Sequence, residues 1–383
     1  MSTTDPIGLY IHIPFCQSRC IYCDFFSTTA LSQRESYVDA LCREAELRSQ
    51  TNGTFPTRIR TVYLGGGTPS MLEPSLLGQI FSTLFRCYDI CPEAEITIEA
   101  NPDDLTPDYV RALRSLPVNR LSLGIQTFSD DRLRFLHRRH TAQEAIDAVH
   151  RCQDAGYHNL SIDLMFGFPN ETIENWNKDL KQATRLSVQH ISAYALMYEE
   201  GTALGRMLQN KQISEVDEEV SRAMYNQLME TLQAHGYQHY ELSNFSLPGF
   251  HSRHNSAYWA DIPYIGLGAG AHSYDGNNRS WNINNINEYN AQIQNGIRPC
   301  ETEFLTRTQK YDEYVMLRLR TRQGLDLQIL KQRFGTKLYE YFMRLVRPHL
   351  NKGLLVRENQ YIRLAKAGLF VSDDIMSDLM YID

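Results

Sequence analysis

Short apolar runs recur along the first two-thirds of the chain, at 7–13, 61–64, 95–99, 120–125, 159–166 and 190–196. Each is the length of a buried strand, and most are rich in β-branched residues. Between them, 31–48, 74–86, 141–155 and 173–186 carry apolar positions at helical spacing. Steady alternation of strand and helix implies parallel strands joined by right-handed crossovers. Six such units suit an incomplete barrel better than an eight-stranded one. The expected fold is therefore α/β, a partial (β/α)6 TIM-like barrel, with its chemistry at the C-terminal ends of the strands. Polar or glycine-rich clusters fall at those ends: Gly65-Gly66-Gly67-Thr68, Glu99-Ala100-Asn101-Pro102, Gln126 and Asp163.

Beyond about 217 the rhythm changes. Positions 218–235 read as one helix, followed by a short run at 237–243 and an irregular stretch rich in His, Asn and Gly. From 301 the pattern is that of a separate small unit. Helices are expected at 311–320, 327–334 and 337–352, and a hairpin at 354–364. Helices followed by a hairpin resemble a winged-helix module, mainly helical. The expected division is a core barrel at 1–245, a connecting segment at 246–300 and the C-terminal unit at 301–383.

Composition narrows the function. The 383 residues suffice for one large domain and a smaller one. Hydrophobic content of 42% and charged content of 22% are those of a globular protein. A net charge of −7 argues against general nucleic-acid binding. No apolar run is long enough to cross a bilayer, and the start, Met1-Ser2-Thr3-Thr4-Asp5-Pro6, lacks the pattern of an export signal. A cytoplasmic protein without an integral membrane segment is expected. Three of the eight cysteines lie between positions 16 and 23, which points to a metal site rather than a disulfide framework.

Cys16-x3-Cys20-x2-Cys23 follows the first strand, where Pro14 ends the ladder. Thiolates are soft ligands that suit iron–sulfur clusters or zinc. Structural zinc wants four ligands, and Asp24, Phe25 and Phe26 follow instead of a fourth cysteine. Three ligands leave one iron of a [4Fe–4S] cluster open to a chelating cofactor. Cys87 and Cys91 repeat part of the spacing without a third partner and read as structural, while Cys42, Cys152 and Cys300 are isolated.

The spacing is that of the radical S-adenosylmethionine (SAM) superfamily. The run Tyr10-Ile11-His12-Ile13-Pro14-Phe15-Cys16 resembles one branch of it, the oxygen-independent coproporphyrinogen III oxidase group. The likeness continues in order through Gly65–Ser70, Glu99–Pro102, Gly124–Gln126, Arg138–His140, Ile162–Gly167 and Tyr194-Ala195. It implies that Cys16, Cys20 and Cys23 hold the cluster. It also implies that Tyr10, Tyr22, Gly66, Gly67, Thr68, Glu99, Gln126, Arg138, Asp163 and Ala195 line the SAM pocket. The glycines would let the backbone approach SAM closely, and the polar groups would meet a zwitterion and a ribose.

Within that group the chain departs from the oxidase. The oxidase carries a further cysteine two places after the third, where this chain has Phe25, and a longer N-terminal arm than the fifteen residues before Cys16. Both departures resemble a haem-chaperone branch, as does His254-Asn255-Ser256-Ala257-Tyr258-Trp259, similar to a motif linked there to haem binding. His254 is the candidate axial ligand, Tyr258 and Trp259 could stack on the macrocycle, and His251 and His272 are alternatives. The plainer reading makes His254 a loop hydrogen-bonder and the aromatics core. The resemblance implies that a monomer or homodimer binds haem and passes it to an acceptor haem protein, with a respiratory one as a candidate. Two other readings stay open: radical decarboxylation of coproporphyrinogen III, and DNA reading by the C-terminal unit through Arg318, Arg320 and Arg322. The three arginines spread around a helix instead of forming one stripe, which favours a solvated or packing role.

Overall fold

A computed structural model of the chain describes residues 6–50 and 58–382. Residues 1–5, on which the reading of no export signal partly rests, lie outside them.

The alternation that marks each strand also sorts its faces. On β1 (Ile7–Ile13), Leu9, Ile11 and Ile13 face one way and Gly8, Tyr10 and His12 the other. β2 (Arg58–Gly66) sets Val62 and Leu64 against Thr61, Tyr63 and Gly65. β3 (Asp89–Ala100) sets Ile96 and Ile98 against Thr97 and Glu99. β4 (Arg120–Gln126), β5 (Leu160–Phe166) and β6 (His190–Ala195) follow suit, with Arg120, Ser122, Ser161, Asp163, His190 and Ser192 on the polar face. The apolar face forms one core with the helices Arg34–Ser49, Pro74–Cys87, Ala142–Asp154 and Ile173–Arg185. The polar face lines the barrel's interior, where buried groups pair with one another: His190 Nδ1 lies 2.7 Å from Ser161 Oγ and its Nε2 2.7 Å from Tyr240 Oη.

The six strands run parallel in chain order. Two antiparallel strands, β7 (Gln238–Glu241) and β8 (Asn244–Ser246), extend the sheet beyond β6. β9 (Tyr264–Leu267) runs parallel to β1 at the opposite edge. Antiparallel β10 (His272–Tyr274), β11 (Asn278–Asn282) and β12 (Cys300–Phe304) continue from it. Among the described residues no ladder joins β7 to β12, so the barrel is open, as expected. The stretch 246–300, expected as a connecting segment, thus supplies β9, β10 and β11 to this sheet, and Ile265, Leu267 and Tyr289 to its core.

The helix Arg253–Trp259 plugs the barrel. The Glu95 carboxylate on β3 accepts from the backbone N–H of Arg253 (2.9 Å) and of His254 (3.1 Å). The C-terminal unit has its own core, built from Arg307–Leu319, Leu327–Asn351, the hairpin Leu355–Glu358/Tyr361–Leu364 and Ser372–Leu379. The break expected between two helices is Gly335, whose φ of +75° interrupts Leu327–Asn351.

Candidate metal centre and cofactor site

The cysteine loop leaves β1 at Pro14 and is tied back to the barrel by backbone bonds, Cys16 N–H to Thr28 O (2.9 Å) and Thr28 N–H to Pro14 O (2.7 Å). Cys16, Cys20 and Cys23 are free and half-buried. Burial pushes the Cys16 thiol up and the Cys23 thiol up to about 11, and the neighbouring cysteine sulfurs add to both. Such a loop keeps protons on the Cys16 and Cys23 thiols, and the iron of a bound cluster would be the partner that displaces them. Two donors already aim at the sulfurs. Thr68 Oγ1 lies 3.6 Å from Cys16 Sγ, and Arg138 Nη1 lies 3.5 Å from Cys20 Sγ. The Nε of Arg138 is buried without a hydrogen-bond partner. A soft three-thiol donor set, held by a cation and a hydroxyl, fits a cluster with one open iron.

The strand ends converge beside this loop. Glu99, at the end of β3, accepts from Tyr63 Oη (2.6 Å) and from the Gly66 backbone N–H (3.3 Å). Burial, helped by the Asp163 carboxylate and opposed by those donors, raises its pKa to about 7. Asp163, in the middle of β5 on its polar face, is also raised, chiefly by burial, though Ser192 and Ser122 donate to it. Arg138 anchors the middle, donating to Asn101 Oδ1 (2.5 Å) and Gly124 O (2.6 Å). Gln126 sits at a register shift in β4 with φ at +71°, a left-handed conformation rare for a side-chain-bearing residue. The loops beyond are cross-linked: Ser70 Oγ donates to Asp104 (2.6 Å), and Arg139 bridges Asp103 and Asp104 at 2.8 Å each.

Gly66 and Gly67 also meet a packing need within the protein. A Cβ on Gly66 would come 2.5 Å from the His12 ring, at a φ of +112°. One on Gly67 would come 2.8 Å from the Pro14 backbone. Both positions are empty of side chain, which leaves room for the His12 ring on the neighbouring β1 and for the backbone at the start of the cysteine loop. Tyr22 packs by the loop next to Cys20 and Arg138, and Ala195 is exposed at the end of β6. Tyr10 pairs with His12 Nδ1 at 3.0 Å and lies half-buried at the barrel mouth.

The haem motif is divided. His254 is 1% exposed, its Nδ1 lies 2.8 Å from Thr61 Oγ1, and its Nε2 lies 2.8 Å from Tyr258 Oη. Its ring stacks on Tyr63 and sits over Gly8, where a Cβ would approach it to 3.3 Å. In place of the accessible iron ligand expected from the sequence, the structure presents a histidine inside the barrel with both nitrogens engaged. Trp259 lies under the Arg320 guanidinium, whose Cζ is 5.1 Å from the centroid of the indole ring. Arg318 donates to the Trp259 carbonyl at 3.3 Å, so these arginines pack against the plug helix.

The sequence marks Asn101 only as part of a strand-end cluster and does not single out Tyr63, Arg120 or Ser192. The signal was present: each occupies a polar position on a strand, or at its end, that otherwise alternates with Val, Ile and Leu.

Comparison with known proteins agrees with this geometry. Residues 10–183 match the Radical SAM superfamily, and residues 305–371 match the HemN C-terminal domain. The chain is 32% identical to the heme chaperone HemW of Bacillus subtilis, covering 96% of this chain and 97% of that one. It is 31% identical to the HemW of Lactococcus lactis, covering 99% and 98%. The solved coproporphyrinogen III oxidase HemN of Escherichia coli superposes with a TM-score of 0.85 at 22% identity, covering 99% of this chain and 91% of that one, which establishes the shared fold. With full-length identity of this order to several such proteins, the chain belongs to the HemW family of the radical SAM superfamily.

Proposed function

We propose that this chain is a haem chaperone, which binds haem and hands it to an acceptor haem protein. The observation that carries the reading is the near-complete coverage of its HemW relatives at 31–32% identity. Phe25 supports it: the position that is cysteine in the oxidase group is here an apolar side chain, 62% exposed. A [4Fe–4S] cluster and SAM belong to the superfamily, and Cys16, Cys20 and Cys23 are the residues that would hold the cluster. When bound, the cluster supplies an iron with an open position that SAM can chelate. The chain's own groups do the rest. Thr68 and Arg138 stabilise thiolate charge, Glu99 and Asp163 present carboxylates to a cationic ligand, and Gln126 is held ready by a strained backbone. Tyr10, Tyr22 and Ala195 complete the walls. Free cysteines suit a reducing compartment, and a cytoplasmic setting is proposed on that ground. Among the described residues no helix is long and apolar enough to cross a membrane. A respiratory haem protein is a fitting acceptor, and a monomer or homodimer a fitting carrier.

The test is an anaerobic incubation of reconstituted protein with coproporphyrinogen III, SAM and a reductant. No protoporphyrinogen is expected. Sustained turnover would replace the chaperone with the oxidase.

A further inference from the structure

A carrier that must release haem needs a different site from one that keeps it. It needs a flat apolar bed, one iron ligand, and an open face through which an acceptor can reach the metal. Three of the histidines inside the barrel are held in forms that cannot serve. His254 has both ring nitrogens paired. His12 pairs with Tyr10 Oη through Nδ1 and with the Phe26 carbonyl through Nε2, each at 3.0 Å. His190 is fully buried between Ser161 and Tyr240.

His272 differs. It stands on the short strand β10, exposed, with no hydrogen bond to either ring nitrogen among the described residues. Its cross-strand partner is Trp281 on β11, and the two rings stack at 5.8 Å and 27°. Both line a cleft of about 610 Å³ between the segment that follows Cys23 and the β10–β11 hairpin. Phe25 and Phe26 line it from the segment after Cys23, and Tyr10, His12, Tyr258 and Tyr264 line it from the barrel. That volume lies within the range of sites for cofactor-sized ligands, roughly 300–1,000 Å³. Partial burial and the Arg279 guanidinium lower the His272 pKa, so the imidazole carries a free lone pair at neutral pH.

We propose that haem lies in this cleft with His272 as the axial ligand to its iron and the stacked Trp281 ring standing edge-on against the macrocycle beside it. The proposal rests on the chaperone reading and names the site that reading requires. It gives three features a shared purpose. Phe25 is an exposed aromatic because its ring packs against the macrocycle's edge and leaves the outer face free. Asp24 and Glu301 line the same cleft, so the propionates point to solvent, where an acceptor can engage them. His254 is a positioning residue: its bond to Tyr258 Oη holds that ring in the cleft lining. With one protein ligand the second axial position stays open, so the acceptor's own ligand can displace His272.

The experiment is haem titration of the anaerobically reconstituted chain, followed by optical and electron paramagnetic resonance spectroscopy. It compares wild type with His272→Ala, His272→Met and Trp281→Ala. Iron and sulfide content, measured first, shows that each variant is folded. Wild type should bind with the signature of a single imidazole ligand. His272→Ala should lose that signature and at least about tenfold in affinity. His272→Met should retain binding with a displaced Soret band, and Trp281→Ala should weaken binding with the imidazole signature intact. An unchanged spectrum and affinity in His272→Ala, with haem binding by wild type, would overturn the His272 assignment and leave the chaperone reading standing. A wild type that binds no haem would remove that reading, and this proposal with it.

Discussion

Glu99 offers a quantitative test of the cofactor site. Its side chain is half-buried, holds two hydrogen bonds, and has a pKa raised to about 7. SAM carries a fixed sulfonium charge and an amino group, and a cationic ligand favours the ionised carboxylate. Below pH 7 the free protein must give up a proton before it can receive that charge. At about pH 8 roughly ten in eleven Glu99 side chains are ionised and at about pH 6 roughly one in eleven, so SAM affinity should fall about tenfold, ~1.4 kcal/mol, between them. Glu99→Gln removes the titration and a charge-assisted hydrogen bond, with a loss of about 1.5–3 kcal/mol near neutral pH. Its SAM affinity should be low and flat with pH. Stability moves the other way. The ordinary pKa is 4.5 and the folded value about 7, so the folded state holds the proton more tightly and loses up to about 3 kcal/mol as pH rises through that window. Above pH 7 the SAM-free Glu99→Gln variant should therefore melt at a higher temperature than wild type while binding SAM less well. Calorimetry on samples matched for iron content, with thermal melts in parallel, reads both. A wild-type affinity that does not change between pH 6 and pH 8 would refute the reasoning.

The remaining predictions concern other parts of the site. Replacing Cys16, Cys20 or Cys23 with Ala should abolish the iron and sulfide content of reconstituted protein. Replacing Cys42, Cys87, Cys91, Cys152 or Cys300 should leave it intact, and loss on Cys87→Ala with retention on Cys20→Ala would reverse the ligand assignment. Asp163→Ala should weaken SAM binding by about 1.5–3 kcal/mol in calorimetry at unchanged iron content. His254→Ala leaves Thr61 and Tyr258 without their buried partner and opens space inside the barrel, so the denaturation midpoint should fall by the equivalent of about 2–5 kcal/mol.

Much of this architecture was legible because local pattern and tertiary contact agree. Leu9, Ile11 and Ile13 alternate with Tyr10 and His12, and the strand found there spans Ile7–Ile13, the run expected from its pattern. The C-terminal unit was readable for the same reason, since Gly335 and the turn between the hairpin strands interrupt otherwise regular runs. The pairing of β9 with β1 was not, because Gly8 and Tyr264 are distant in sequence and a short apolar run carries no mark of its neighbour. The site divides the same way. The spacing of the cysteines singles them out, whereas the role of His254 depends on Thr61, Gly8 and Tyr258 meeting it in space. A histidine beside aromatic residues reads alike whether it faces a cleft or fills a barrel, and only the three-dimensional contacts separate the two.

The central claim is that this chain carries haem in order to give it away. The direct measurement is to load the anaerobically reconstituted protein with haem, mix it with an apo haem protein, and follow the Soret band of each. The account predicts saturable, stoichiometric loading, then transfer, with the carrier's band falling as the acceptor's rises. Haem that never binds in stoichiometric amount, or that binds and stays on the chain in the presence of the acceptor, would contradict it.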